Sequence, residues 1–148
     1  MKITDLEHLM ELWLEDAPIN EMELGRDSLN ASKLHAKYLN IMTTHNMIIK
    51  KIMVDYQELK HMRWQYYRGD LNNPQDLSKY GLEPMDHNIL KGDIQSWLDQ
   101  DKELNKLLLK KAHHEEIVDA CKEIIKQVNN RNWSIRNAIE FSKFITGN

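Results

Sequence analysis

The chain has 148 residues, 41% apolar and 29% charged, a size and balance that suit one compact domain. Its longest aliphatic or methionine runs are three residues, Met47-Ile48-Ile49 and Leu107-Leu108-Leu109 among them, far short of the ~20 residues that a membrane span needs. The single cysteine, Cys121, excludes a disulfide framework and a Cys-based zinc site, and five scattered glycines exclude a Gly-rich phosphate loop.

The first residues, Met1 to Glu7, turn acidic at once and lack the apolar stretch of a secretory signal, so a cytoplasmic protein with no membrane association is expected. The net charge of −3 conceals a marked asymmetry. Residues 1–30 carry two basic side chains against eight acidic ones, whereas residues 31–68 carry seven basic against two acidic. A basic middle behind an acidic leader bears on partners, not on fold.

Leu6, Leu9, Met10, Trp13 and Leu14 follow a helical spacing, and Thr4 with Glu7 reads as a capping box ahead of them. This predicts a short amphipathic helix that ends before Pro18. Residues 17–26 keep no helical period; Ile19, Met22 and Leu24 read as an extended arm punctuated by Gly25. Asp27 or Ser28 then offers an N-cap for a helix of about 40 residues that meets no proline or glycine before Gly69. Along it Leu34, Tyr38, Ile41, His45, Ile48, Ile52, Asp55, Leu59, Met62 and Tyr66 alternate spacings of four and three, a heptad seam broken by His45 and Asp55. Either residue would set the register of an oligomer or face a wet gap. A second row, Met42, Ile49, Met53 and Tyr56, widens the apolar face, so partner helices must cover it.

Residues 69–93 hold Asn72-Asn73-Pro74, Gly81, Pro84 and Gly92, and read as a loop region with short helical turns. A short segment with Trp97 precedes a second long helix from about Asp101 to Val128. Asn129-Asn130-Arg131-Asn132 is expected to break it before a last helix from about Trp133 to Ile145. The fold class is all-α: two long helices with shorter helices at the amino and carboxy termini.

The densest chemical signal is Lys60-His61-Met62-Arg63-Trp64-Gln65-Tyr66-Tyr67-Arg68, at the end of the first long helix. Its cations suit phosphates, and Trp64, Tyr66 and Tyr67 offer faces on which unpaired bases stack at ~1 to 3 kcal/mol each. Lys50 and Lys51, upstream on the same helix, extend a stripe that would track a strand's backbone. The bland alternative is that Tyr66 continues the seam, Trp64 or Tyr67 simply packs and the lysines are solvated.

His113-His114-Glu115-Glu116 with Asp119 has the residue types of a metal site, but helical offsets send His113 and Glu116 away from His114. One partly buried histidine beside a solvated face is the better reading. Cys121 sits on the same apolar stripe and reads as a small core residue. No catalytic residue, metal or cofactor is expected. The acidic first helix is either a docking element for another protein, a cover folded over the basic stripe, or an ordinary capping helix.

In order and spacing, Lys37-Tyr38-Leu39-Asn40, Arg63-x-x-Tyr66-Tyr67-x-Gly69, Asp101-Lys102 with Lys106, Ile117-x-Asp119-x-Cys121, and Arg131-x-x-x-Ile135 with Phe144 and Gly147 resemble the UvsY-type recombination mediator proteins of T4-like phages. The resemblance runs along nearly the whole chain. It implies a non-enzymatic protein, acting in the cytoplasm of the bacterial host, that binds single-stranded DNA coated by single-strand-binding protein and helps a RecA-like recombinase to load. It also implies a ring-like homo-oligomer, a hexamer or heptamer, held largely through the carboxy-terminal helices.

On this basis residues 1–148 form one mediator domain: an acidic leader over 1–26, a basic and aromatic helix over 27–68, a loop region over 69–93 and an oligomerisation region over 94–148. The implied DNA-binding residues lie around Tyr66-Tyr67-x-Gly69. Arg63 matches a family cation directly, while His61 stands where a second is expected, with Lys60 and Arg68 in compensation. The leader before Asp27 looks longer than the family pattern. The alternative is a structural helical oligomer or protein adaptor that does not bind DNA.

Overall fold

A computed structural model describes residues 2–20, 22–86 and 88–147. Among these the chain is all-helical, with no strand: α1 (Leu6–Asp16), α2 (Leu24–Arg68), α3 (Pro74–Lys79), α4 (Ile94–Asp99) and α5 (Lys102–Thr146), with a 3-10 turn over Lys91–Asp93. The chain divides into two compact units. One holds the chain to Ile48 together with the chain from His113; the other is Ile49–Ala112.

The first unit is built from α1, the first part of α2 and most of α5. Asp5, not Thr4, is the N-cap of α1: its Oδ1 accepts from the His8 N–H at 2.8 Å, and the Thr4 hydroxyl donates to its other oxygen at 3.1 Å. A carboxylate beats a hydroxyl there because the helix dipole favours negative charge. The buried side of α1 is Leu9 and Leu12 with Trp13, whereas Leu6, Met10 and Leu14, expected to share that face, are exposed. Ile3, Tyr38, Ile117, Cys121, Ile124 and Val128 complete the core, and Trp13 meets Tyr38 edge to face at 5.6 Å.

Asp16 gathers three of the residues whose order in the sequence is distinctive. Its carboxylate accepts from Lys37 at 2.6 Å and from the Tyr38 hydroxyl at 2.8 Å. Arg131 donates to the Asp16 carbonyl at 3.0 Å and to the Pro18 carbonyl at 2.8 Å, which closes the last turn of α1.

Two predicted boundaries fall elsewhere. The expected extended arm is shorter, because α2 begins at Leu24, and Gly25 sits in its first turn. The Asp27 carboxylate caps the turn before it through the Asn20 N–H. The expected break at 129–132 does not occur, and α5 runs through to Thr146. Ile117, Cys121, Ile124, Val128, Arg131 and Ile135 are all buried at alternating spacings of four and three. The packing seam therefore passes through Arg131 unbroken, and such tertiary packing outweighs the weak helix preference of asparagine, under about 1 kcal/mol per residue.

The second unit contains the rest of α2, α3, α4 and the first turns of α5. Ile94, Leu98 and Leu104 form its core, with Tyr56, Leu59, Trp64, Tyr67 and Ile89 packed against them. Helix α2 ends in a Schellman motif. Gly69, at φ +86°, lets Asp70 N–H reach the Gln65 carbonyl at 3.0 Å and its own N–H reach Tyr66 at 3.1 Å. Asn73 then caps α3 through the Gln75 N–H, with Pro74 at the first helical position.

Candidate nucleic-acid interface

The basic and aromatic run lies on the part of α2 that belongs to the second unit, and its members stand in two kinds of surroundings. Arg63, Tyr66 and Tyr67 are engaged by the fold. Asp101, a buried N-cap, accepts at Oδ1 from the N–H groups of Glu103 and Leu104, both at 3.0 Å. Its Oδ2 accepts from the Tyr67 hydroxyl at 2.6 Å and lies 3.5 Å from Arg63 Nε, an ion-pair separation longer than a good hydrogen bond. Only 15% of the Arg63 side chain is exposed. Burial, then the bond to Asp101, pushes the Tyr67 phenol up to about 12, so it stays a donor throughout the neutral range. The Tyr66 hydroxyl donates to the Glu83 carbonyl and fastens the segment after α3.

Lys50, Lys51, His61 and Arg68 are exposed, with Lys60 and Trp64 half-buried. The Arg68 guanidinium sits 4.4 Å from the centre of the Trp64 ring. The His61 ring stacks near the same indole at 6.2 Å, tilted by 17°. One residue a turn before Trp64 and one a turn after it thus set positive or protonatable groups against an indole, and Lys60 reaches over Tyr56 at 5.9 Å. Gln57, Lys60, His61, Trp64, Gln95 and Leu98 line a shallow cavity of about 380 Å³.

Lys50 and Lys51 differ. Lys50 precedes His61 by three helical turns and Arg68 by five, so it shares their face; Lys51 precedes Lys60 by two and a half turns and points the opposite way.

Sequence reasoning passed over a second cavity in the same unit, of about 370 Å³. Arg63, Tyr67, Trp97, Gln100, Asp101, Lys102 and Glu103 line it. The hint in the sequence is Trp97 itself: on α4, Ile94 and Leu98 are buried while Trp97 remains 39% exposed.

The histidine pair proves to be structural chemistry within the first unit. His45, 3% exposed, faces His114 Nδ1 to Nδ1 at 2.8 Å and reaches the Ile3 carbonyl at 3.1 Å; His113 reaches the Thr4 carbonyl at 3.0 Å. His45 therefore continues the seam as an intrachain hydrogen-bonding group, and neither a wet gap nor an oligomer contact is needed to explain it. Asp55 is exposed. Among the described residues no three His, Cys, Asp or Glu side chains gather as a metal site. Burial pushes the Cys121 thiol up to about 11, leaving it a neutral core group.

Among the described residues no helix is long and apolar enough to cross a membrane. The profile of the family described as "Recombination, repair and ssDNA binding protein UvsY" matches residues 12–148. No curated protein sequence matches the chain. Crystal structures of the bacteriophage T4 recombination mediator protein UvsY share the fold. In one lattice the TM-score is 0.82 at 20% identity, over 97% of this chain and 99% of that one. In a second lattice it is 0.80 at 18% identity, over 95% and 98%.

Proposed function

The chain belongs to the UvsY family of recombination, repair and single-stranded-DNA-binding proteins, and from that premise we propose that it is a recombination mediator. A homo-oligomer of this chain binds single-stranded DNA coated by single-strand-binding protein, weakens the coat and helps a RecA-like recombinase to load, in the cytoplasm of a phage-infected bacterium. Binding and assembly do this work, and no catalytic step is called for.

The observation that carries the reading is the Trp64 cluster, where an indole flanked by His61 and Arg68 stands beside Lys60 and on the face of Lys50. Cations track the phosphates while the ring system meets unpaired bases. Arg63 and Tyr67 support this surface from behind by fixing Asp101 and with it the start of α5.

One such surface neutralises few phosphates and binds weakly at physiological salt. Repetition in a ring of six or seven copies raises the effective concentration of each next contact, so the strand is held and bent in a way that opposes the extended single-strand-binding coat. The end of α5 suits such assembly. Trp133, Phe141, Phe144 and Ile145 are exposed, Phe144 at 81%, and fall within about a third of the helix circumference. An arc this apolar calls for cover by other copies.

Fluorescence anisotropy with labelled single- and double-stranded oligonucleotides, paired with light scattering, tests the proposal. The expected result is an oligomer that prefers single strands and weakens steeply with salt. Equal, weak binding to both forms at moderate salt would instead identify a helical adaptor.

A further inference from the structure

The cavity between Tyr67 and Trp97 has no part in the reading so far. Its volume of about 370 Å³ lies in the range of sites that hold small organic groups, yet it is far too small for a base pair with its backbone. Tyr67 and Trp97 stand 5.7 Å apart with their planes tilted by 51°. On α4, Ile94 and Leu98 are buried, while Trp97 is 39% exposed and lines the cavity.

The charges around the cavity are largely spoken for. Asp101 is held by Tyr67, by two backbone N–H groups and by Arg63, so the start of α5 is already capped and has no vacant anion site. Glu103 pairs with Lys106 at 3.0 Å. Lys102 lines the cavity and makes no ion pair among the described residues, and the Gln100 amide, which donates one N–H to the Ser96 hydroxyl at 3.1 Å, keeps its second N–H and its oxygen to offer.

We propose that this cavity receives one unpaired base of the bound strand, which packs against Trp97 with its edge toward Gln100 while Lys102 engages a neighbouring phosphate. The inference rests on the strand-binding reading above. It adds Trp97, Gln100 and Lys102 to the interface and gives the protein a second reason to prefer single strands, since a paired base cannot enter. The carboxylates of Asp101 and Glu103 in the lining disfavour a phosphate there, which leaves the cavity to the uncharged base.

The test compares a labelled oligonucleotide with one of equal length that lacks its bases, using the full chain. The wild-type protein is expected to bind the base-bearing strand at least about fivefold more tightly, the lower end of what stacking one base provides. Trp97→Leu should lower that ratio by about fivefold or more, the share of one base, while the Trp64 contribution and the affinity for the abasic strand stay nearly intact. Lys60→Gln should weaken both strands and preserve the ratio.

A Trp97→Leu protein of native helicity that keeps the full ratio overturns the pocket while the strand-binding surface stands. Unchanged affinity after Lys60→Gln and Arg68→Gln overturns the surface itself. Should Trp97→Leu lose helicity, fluorine NMR of the 5-fluorotryptophan-labelled wild-type chain decides. The Trp97 resonance, assigned through Trp97→Phe, should move with the base-bearing strand and not with the abasic one; a resonance unmoved by both overturns the pocket.

Discussion

His45 and His114 share one proton across a 2.8 Å gap between their Nδ1 atoms. With His45 Nε2 donating to the Ile3 carbonyl, His45 Nδ1 must accept and His114 must donate. A proton added at His45 Nδ1 reverses that bond, forces His114 into its other tautomer and places positive charge near His113, which lies against His114 at 5.2 Å. Burial, above all, lowers the His45 pKa from its ordinary 6.5, and nearby His113 lowers it further against the opposing bond to Ile3.

Folding thus favours the neutral ring and the unfolded chain takes up the proton first. The stability from this group is complete above 6.5 and drains away as pH falls through and below it. Thermal unfolding followed by fluorescence should show a midpoint several degrees lower at about pH 5.5 than at about pH 7.5. Trp13, packed on Tyr38, reports the loosening of α1. His45→Gln should flatten the dependence while lowering the midpoint at neutral pH. An undiminished slope in that variant would assign the titration to other groups.

Asp101 holds the second unit together by joining Tyr67, Arg63 and the first turn of α5. Asp101→Ala removes a cap and leaves the mostly buried Arg63 charge without its counterion, at a cost of about 3 kcal/mol in urea unfolding. Asp101→Asn keeps an oxygen for the cap and should lose less. Tyr67→Phe, which deletes one bond to a charged acceptor, should cost about 1.5 kcal/mol.

The helical class and the seams were legible because spacings of four and three persist through both long helices. What could not be read was which competing signal wins. Asn129 to Asn132 looks like a break until Arg131 is known to turn inward toward the Asp16 and Pro18 carbonyls, more than 110 residues earlier in sequence. Gly25 looks like a stop, but the first turn of a helix asks little of its residues.

In the candidate interface the run from Lys60 to Arg68 was visible as composition. Its division into exposed residues and residues engaged by the fold was not, because the partners of Tyr66 and Tyr67 lie 17 and 34 positions away. Lys51 shows the same limit on a smaller scale, adjacent to Lys50 yet facing away from the Trp64 cluster.

The exposed arc at the end of α5 predicts how assembly and affinity are coupled. Phe141→Ser with Phe144→Ser leaves the buried seam through Ile135 intact, so the chain should remain helical. Light scattering should nonetheless report a mass close to one chain. Because the proposed grip is multivalent, affinity for a long oligonucleotide should fall by about a hundredfold or more, while affinity for a very short one should hardly change. A double variant that keeps the parent mass would place the oligomer contact elsewhere.

The division of labour along α2 makes a sharper prediction about salt. Lys60 and Arg68 belong to the outward cluster and Arg63 is committed to Asp101, so the three should not be equivalent despite their proximity in sequence. Lys60→Gln and Arg68→Gln should each reduce the fall of log K with log salt by about 0.7 for every subunit engaged, the signature of one lost phosphate contact on a single strand. Melting temperature should stay nearly constant, because the Arg68 to Asp70 pair is an exposed contact worth little. Arg63→Gln should do the reverse, lowering stability as the Asp101 charge loses its partner and leaving the salt slope as it was. Anisotropy titrations at several salt concentrations, alongside thermal melts, separate the two behaviours. A slope reduced by Arg63→Gln as much as by Lys60→Gln would mean that Arg63 leaves Asp101 to meet the strand.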